Sequence, residues 1–205
     1  MAGQEHFHQA YAEGAHPPWD IGRPQPALIE AGRRGWVTGS VLDVGCGTGE
    51  HALYFAAAGC EVVGIDLVSA AIERAQAKAA ERALAKPPHF ICADVLREPE
   101  ALAGSSYNTV IDMGFFHTLS DKERVTWRSL LAAILRPGGS YVMVCFSELV
   151  PGDQGPRRIS ETEIRETFGA DAGFDVSDLE RTDIASNRGD VASAVAGWLT
   201  RIRRA

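Results

Sequence analysis

The sequence predicts an α/β fold in which a mostly parallel β-sheet is covered by helices on both faces. Between residues 41 and 146, short and nearly continuous apolar runs alternate with longer helix-like stretches. This alternation is typical of strands that are buried on both faces of a parallel sheet. Two more strand-like runs, FDVSDLERT and ASAVAGWLTRIRR, follow with no helix between them. We therefore expect the last two strands to form an antiparallel pair.

The first 26 residues differ from the rest of the chain. A short helix-like stretch over residues 6–13 leads into HPPWDIGRPQP, where four prolines within ten residues exclude both helix and central strand. Pro26 then begins a helix predicted to end near Arg34. We divide the chain into an N-terminal segment, residues 1–26, and one domain, residues 27–205.

Regular elements follow from residue 41. The predicted strands are VLDVG, EVVGID, HFICAD, YNTVIDMG and SYVMVCF, and the predicted helices are HALYFAAAG, SAAIERAQAKAAERALAK, residues 120–135 and SETEIRETF. Ser69 is expected to cap the second of these helices, and Pro87 to end it. Ser120 and Glu123 have the spacing of a capping box at the start of the third helix, and the sequence RPGG is expected to end it.

Composition and charge limit the function. The 205 residues are 45% hydrophobic and 23% charged, and their net charge is -7. A nucleic-acid-binding protein usually has a basic surface, so nucleic acid is not the expected partner. No apolar run approaches the roughly 20 residues of a membrane helix, and the N-terminus lacks a secretory signal pattern. We expect a cytoplasmic monomer or homodimer with no membrane partner, and four cysteines that stay reduced in the core.

A glycine-rich turn is expected between the first strand and the first helix of the domain, in the sequence Asp43-Val-Gly45-Cys-Gly47-Thr-Gly49. Glycines there let a ligand approach the backbone, and the start of the helix offers free N–H groups. The GxGxG spacing differs from the GxGxxG of dinucleotide-binding folds. Asp43 would repel a pyrophosphate, whereas it suits an ammonium group. A dehydrogenase turn and a purely structural turn are the alternatives.

Two more acidic residues follow the next two strands. Asp66 ends the second strand, a position that presents a carboxylate to ribose hydroxyls, and its alternative role is a helix cap. Asp94 ends the third strand, where it would accept a hydrogen bond from an adenine amino group. Together with Asp43, these residues place acids at the carboxyl ends of three consecutive strands. The sequence therefore predicts one ligand crevice at this edge of the sheet.

Five sequence motifs follow one another along the chain: VLDVGCGTGE, VVGIDL, CADV, YNTVIDMGFFHTL and LRPGGSYVMV. They resemble the motif series of class I S-adenosylmethionine (SAM)-dependent methyltransferases. The resemblance implies a Rossmann-like, seven-stranded sheet with an antiparallel last strand, and SAM as the cofactor with S-adenosylhomocysteine as its product. It assigns Gly45, Gly47 and Gly49 to the methionine and ribose, Asp43 to the amino-acid end, Asp66 to the ribose hydroxyls, and Asp94 and Val95 to the adenine. Cys46 and Leu67 are further candidate cofactor contacts.

The N-terminal stretch PPWDIGRPQPAL resembles the thiopurine, thiol and halide methyltransferase branch and its small bacterial relatives. In that branch a tryptophan-containing N-terminal segment folds over the site. Trp19 is therefore assigned to both cofactor and acceptor, and Tyr11 to the acceptor. A mobile aromatic lid of Phe7, Tyr11 and Trp19 would exclude water during methyl transfer. The alternative is that these rings only attach the N-terminus to the core.

The acceptor site is expected at the exit of the fourth strand, in the sequence Asp112-Met-Gly114-Phe-Phe116-His117. His117 has an ordinary pKa of about 6.5 and is the candidate general base, with a packed helix-entry histidine as the alternative. Asp112 is a candidate base, a backbone contact or a loop anchor. Phe116 is a candidate acceptor contact. No His/Asp cluster has the spacing of a metal site, so no metal is predicted.

Together these features are interpreted as methyl transfer from SAM to sulfur or oxygen of a small, mostly apolar molecule of the thiol, phenol or quinol type. MGFFHT stands where the resemblance would place the Asn/Asp-Pro-Pro-aromatic sequence of enzymes that methylate amino groups of nucleobases and glutamine. The alternatives are a SAM-binding sensor without catalysis and, less favoured, a nicotinamide-dependent dehydrogenase.

Overall fold

The structure is a computed structural model that describes residues 2–12, 15, 17–152, 155–188 and 191–205. Within these residues the strands are β1 Ser40–Val44, β2 Glu61–Asp66, β3 His89–Cys92, β4 Tyr107–Met113, β5 Leu135–Phe146, β6 Phe174–Arg188 and β7 Val191–Arg204. The α-helices are α1 Ala2–Ala10, α2 Pro26–Arg33, α3 Glu50–Ala57, α4 Ser69–Arg82, α5 Asp121–Ile134 and α6 Glu161–Thr167.

The strands form one seven-stranded sheet in the order β3-β2-β1-β4-β5-β7-β6. Strands β1 to β5 are parallel to one another, whereas β7 runs antiparallel to both of its neighbours. The predicted α/β fold, its seven strands and its antiparallel last strand are confirmed. In such a sheet the carboxyl ends of the parallel strands lie along one edge, which is where ligands bind in this architecture.

The apolar core lies on both faces of the sheet. One face packs against α5 and α6 around the fully buried rings of Trp127, Tyr141 and Phe168. The other face packs against α2, α3 and α4 around Leu28 and Phe55. The central strands are buried on both sides, which explains why their sequences are continuously apolar rather than alternating.

Predicted boundaries of α1, α4 and β5 need correction. Helix α1 begins at Ala2, before the predicted residue 6, and ends at Ala10. Helix α4 is not capped by Ser69, because Val68 occupies the N-cap position and makes no side-chain cap bond. The same helix ends at Arg82, before the predicted stop, where Ala83 adopts a left-handed backbone with φ of 45°. RPGG lies within β5, because Leu135 is already extended and pairs with Tyr107. The capping box at Ser120 and Glu123 is confirmed.

The β6–β7 hairpin is longer than the sequence predicts. Strand β5 accompanies β7 only as far as the pairing of Phe146 with Gly197, and the two hairpin strands continue together beyond that point. The extension contacts the N-terminal segment, where Asn187 N–H donates to the carbonyl of Pro18 at 2.8 Å. The side chain of Gln25 pairs with both backbone groups of Ala185 at 2.8 and 3.0 Å. The topology thus brings the segment 17–25 against the hairpin.

No helix in the described ranges is both long and apolar enough to span a membrane. All four cysteines are free thiols. Cys46 and Cys145 are buried, but Cys92 is exposed at the end of the outer strand β3 and Cys60 is only half-buried. The expectation that every thiol lies in the core is therefore wrong for these two.

Candidate active site

The glycine turn after β1 has a backbone that side chains rarely adopt. Gly47 has φ of 52°, and Gly49, the N-cap of α3, has φ of 81°. A Cβ added at Gly47 would lie 2.8 Å from the phenol oxygen of Tyr11. Glycine is needed here both for the left-handed backbone and for the close approach of the N-terminal segment.

Asp66 connects the glycine turn to the start of α4. One carboxylate oxygen accepts from Gly47 N–H at 2.8 Å, and the other accepts from Val68 N–H at 2.9 Å. Burial raises the pKa of Asp66, and these backbone hydrogen bonds oppose the shift. Asp66 therefore has the role at the start of α4 that was named as its alternative. It also contacts the glycine turn, which the sequence assigns to the cofactor.

Asp43 is almost completely buried beside the same turn. Its carboxylate accepts from Ala52 N–H at 3.1 Å, in the first turn of α3. Burial raises the pKa of Asp43 well above its usual range, and the nearby charges of Asp66 and Asp112 raise it further. The charges of Asp66 and Asp112 thus disfavour the ionised form of Asp43, and a cationic ligand beside Asp43 would relieve that repulsion.

The remaining residues assigned to the cofactor lie around this cluster. Asp94 starts a tight turn, in which its carboxylate accepts from Leu96 N–H at 3.1 Å and lies 3.3 Å from the Arg97 guanidinium. Val95 and Cys46 are buried, and Leu67 packs with Tyr11 against the start of α4. The structure therefore brings Asp43 and Asp66 together, whereas Asp94 also has a local structural role.

The N-terminal segment covers the glycine turn with aromatic rings. Tyr11 is buried over Gly47, and its phenol oxygen accepts a hydrogen bond from Trp19 Nε1–H at 2.9 Å. The Trp19 ring also lies within 6.0–6.1 Å of the rings of His6 and Phe7, and 41% of the residue is exposed. Burial raises the pKa of Tyr11, and the nearby carboxylate of Asp66 raises it as well. Tyr11, assigned to the acceptor from sequence, thus lies against residues that the sequence assigns to the cofactor.

Arg74 of α4 holds this segment in place. Its guanidinium donates to the carbonyls of Tyr11, Ala12 and Ala15 at 2.9–3.1 Å, and the first two carbonyls directly follow α1. A cation at a helix C-terminus satisfies carbonyls that have no partner within the helix. A second contact joins the hydroxyl of Thr48, within the glycine turn, to Asp20 at 2.8 Å.

Asp112, near the end of β4, is a fully buried loop anchor in this structure. Its carboxylate accepts from the N–H groups of Phe115 and Phe116 at 2.7 and 3.0 Å and from the Tyr141 hydroxyl at 2.5 Å. The Tyr141 oxygen in turn accepts from Trp127 Nε1–H at 3.2 Å. Burial raises the pKa of Asp112 to about 7, against the effect of these hydrogen bonds. The geometry favours the anchoring alternative named for this residue.

The two phenylalanines after β4 have different surroundings. Phe116 is fully buried, packs 5.5 Å from the ring of Phe168 and lies under the Arg124 guanidinium. Phe115 lies against the glycine turn, since a Cβ added at Gly45 would meet its Cβ at 3.3 Å. The ring that meets the cofactor turn is therefore Phe115, which sequence reasoning did not select.

His117 follows in a short turn over Phe116–Thr118 and is buried. Its Nδ1 accepts from Phe146 N–H at 3.0 Å, and the two rings are 4.6 Å apart. Burial, together with the positive charges of Arg124 and Arg158, lowers the pKa of His117 to about 3. The ring is packed, as one sequence alternative stated, and it stays neutral at physiological pH.

Several residues of the site were not selected from the sequence: Arg74, Phe115, Arg124, Trp127 and Tyr141. Their roles depend on contacts between distant parts of the chain, which periodicity does not reveal. One signal was present, because a tyrosine within a buried strand usually needs a partner for its hydroxyl. Among the described residues, no group of three or more His, Cys, Asp or Glu side chains has an arrangement that would hold a metal.

Comparison with known proteins identifies the class. A methyltransferase-domain family model matches residues 41–139. A 2-heptyl-1-hydroxyquinolin-4(1H)-one methyltransferase from Mycobacteroides abscessus is 36% identical over 74% of this chain and 66% of that enzyme, slightly less than two thirds of its length. A probable thiol methyltransferase from Arabidopsis thaliana is 26% identical over 84% of this chain and 75% of that protein.

A solved structure from work on the conversion of a disulfide bond into a thioacetal group during echinomycin biosynthesis superimposes with a TM-score of 0.85. It is 30% identical and covers 98% of this chain and 92% of its own. With the strand order, the glycine turn and the buried carboxylates, these matches show that the chain belongs to the class I SAM-dependent methyltransferases. It is an enzyme that uses SAM, which speaks against the dehydrogenase alternative.

Proposed function

We propose that this enzyme transfers the methyl group of SAM to sulfur or oxygen of a small, mostly apolar molecule of the thiol, phenol or quinol type. One observation carries the proposal: two aromatic side chains from distant parts of the chain meet the same glycine turn. Phe115 lies against Gly45, and Tyr11 lies over Gly47. Aromatic and apolar surfaces beside a cofactor turn suit an aromatic or thiol acceptor better than a charged polymer.

The similarity of the chain to two kinds of methyltransferase supports this acceptor class. One relative is named for a hydroxyquinolone and another for thiols. Both acceptor types carry an acidic O–H or S–H group on an organic framework. The net charge of -7 also favours a small acceptor over nucleic acid.

The division into a lid, residues 1–26, and a methyltransferase domain, residues 27–205, is part of the proposal. Methyl transfer is a direct displacement, so the protein contributes mainly by aligning the reactants and by excluding water. Trp19 donates a hydrogen bond to Tyr11, and Arg74 donates to backbone carbonyls of the same segment. These contacts suit a lid that orders over the cofactor. Trp19 is the ring of this pair that is exposed enough to contact an acceptor.

Calorimetry with SAM and S-adenosylhomocysteine, followed by incubation of labelled SAM with thiols, phenols, quinols and halides, tests the proposal. We expect both cofactor forms to bind and the label to appear on a thiol or a phenolic oxygen. Transfer only to halides would contradict the acceptor class. Tight binding of SAM with no transfer to any of these acceptors would also contradict the proposed acceptor class.

A further inference from the structure

The protonation state of His117 follows from its surroundings. Its Nδ1 accepts from Phe146 N–H, so the proton of the neutral ring sits on Nε2. An acceptor that reaches this histidine therefore meets a hydrogen-bond donor. A general base would have to break the bond to Phe146 and move its proton before it took up another.

The Nε2 atom lies on the same edge of the sheet as the glycine turn. It is 3.0 Å from the position that a Cβ on Gly114 would occupy, and Gly114 has φ of 87°. The residues that the structure describes offer Nε2 no hydrogen-bond partner, although Nδ1 on the same ring is satisfied.

The charges that act on His117 are positive. Arg124 of α5 is buried, with its guanidinium 4.6 Å from the centre of the Phe116 ring. Its Nη1 pairs with Glu163 of α6, while Nε and Nη2 have no partner within the described part of the chain. Arg158 contributes a second positive charge from the segment that follows β5.

The other charged groups around this turn are engaged elsewhere. Arg157, whose N–H donates to the carbonyl of His117, pairs through its guanidinium with Asp121 and Glu163. Asp112, on β4, is bonded to Tyr141 and to two backbone N–H groups. The local field at the His117 ring therefore favours a negative ligand.

We propose that the acceptor is methylated as an anion, a thiolate or an aryl oxyanion, which receives a hydrogen bond from Nε2 of neutral His117 beside the charge of Arg124. This inference rests on the proposed function and specifies its acceptor. His117 acts as a donor that binds and orients the anion, in place of the general base expected from sequence.

The chemistry balances without a protein base. The acceptor gives its proton to water, and its sulfur or oxygen lone pair then forms a bond to the methyl carbon. The bond between that carbon and the SAM sulfur breaks, and its electron pair stays on sulfur. Anion and sulfonium are both neutralised, so a buried and weakly polar site favours the transfer.

A spectroscopic titration of the unmodified enzyme tests the inference directly. In the complex with S-adenosylhomocysteine, 4-nitrophenol serves as the probe, because its anion absorbs at longer wavelength than its neutral form. We expect the pKa of bound 4-nitrophenol to lie below that of the free compound. An unchanged or raised pKa would overturn the inference.

The dependence of kcat/KM on pH distinguishes a hydrogen-bond donor at His117 from a general base. With phenol and 4-nitrophenol as acceptors, we expect the pH at which kcat/KM rises to follow the acidity of each acceptor. A rise at one fixed pH for both acceptors would show an enzyme base and would overturn the inference. Failure to transfer labelled methyl to any thiol or phenol would instead overturn the proposed function itself.

Variants of His117 provide the third readout. His117→Gln retains a side-chain N–H and is expected to keep kcat/KM within about tenfold, whereas His117→Leu should lose about 10- to 100-fold more. The exposed His89 at the start of β3 supplies the matched control, His89→Gln. Unchanged SAM affinity by calorimetry confirms that each variant is folded. Equal losses in both His117 variants would contradict the donor role.

Discussion

The phenol oxygen of Tyr11 lies 2.8 Å from the point where a Cβ on Gly47 would stand, so the N-terminal segment and the cofactor turn are in direct contact. Gly47→Ala should therefore weaken SAM binding, both by backbone strain at φ of 52° and by a clash with Tyr11. In a Tyr11→Ala background the clash is gone. We expect the additional loss caused by Gly47→Ala to be smaller there by about 1 kcal/mol.

Calorimetry of SAM binding to the four proteins of this cycle measures the coupling. Tyr11→Phe is the matched control, because it removes the hydroxyl but keeps the ring. If the losses in SAM binding free energy caused by Gly47→Ala and Tyr11→Ala were strictly additive, Tyr11 would not contact the turn in solution.

Asp66→Ala removes the carboxylate that joins the glycine turn to α4. We expect SAM affinity to fall by about 1–3 kcal/mol, the cost of losing a hydrogen bond to a charged group. Asp171→Ala, at an exposed position far from the crevice, is the control and should bind SAM normally. If Asp66→Ala bound SAM as tightly as the unmodified enzyme, its assignment to the ribose would be wrong.

Arg74→Met should loosen the N-terminal segment, because three backbone carbonyls lose their donor. We expect faster hydrogen exchange at the amides of residues 5–12 and a SAM Kd raised roughly threefold to tenfold, since a lid that is closed less often binds more weakly. Arg33→Met, on the exposed side of α2, is the control. Unaltered hydrogen exchange in Arg74→Met would show that Arg74 does not hold the N-terminal segment in place.

Tyr141→Phe tests the anchor of the loop after β4. The change removes one hydrogen bond from Asp112 and leaves the buried Trp127 N–H without its acceptor. We expect a loss of about 1–3 kcal/mol in the free energy of unfolding, together with a lower kcat as Phe115 and His117 lose their fixed positions. Urea unfolding and steady-state kinetics measure the two effects. Tyr54→Phe is the control, and an equal loss there would show a general effect of removing a hydroxyl.

His51 predicts a specific response to acid. Burial lowers its pKa to about 4, while an unfolded histidine titrates near 6.5. Between these values the unfolded state binds more protons, so stability falls as the pH decreases from 6.5 to about 4, by up to roughly 1.4 kcal/mol per pH unit. His51→Gln keeps a side-chain acceptor for the N–H of Gln25 and removes this titration.

The measurement for His51 is the free energy of unfolding of both proteins in urea across this pH range. Because His117 titrates in the same direction and is present in both, their difference isolates His51. We expect the unmodified protein to lose stability more steeply than the variant. Parallel curves would mean that His51 is not buried as described.

The sequence predicted the fold and the glycine turn because both depend on short segments. Continuous apolar runs predict buried parallel strands wherever they pack, and the turn from Asp43 to Gly49 has its backbone conformation set by local glycines. Asp66 was likewise placed correctly at the end of its strand. The boundary errors at Ser69 and in RPGG arose where strand pairing and helix entry outweighed local propensity.

The acceptor side needed the tertiary structure. The spacing of Phe115 and Phe116 in sequence does not show which ring meets Gly45, because adjacent residues in a turn face different neighbours. The protonation state of His117 depends on the backbone N–H of Phe146, 29 residues away, and on the charge of Arg124. Sequence alone therefore determined the class of enzyme and the conformation of its glycine turn. Only the packing of distant segments decided which side chains are buried, which are charged and which nitrogen of His117 accepts a hydrogen bond.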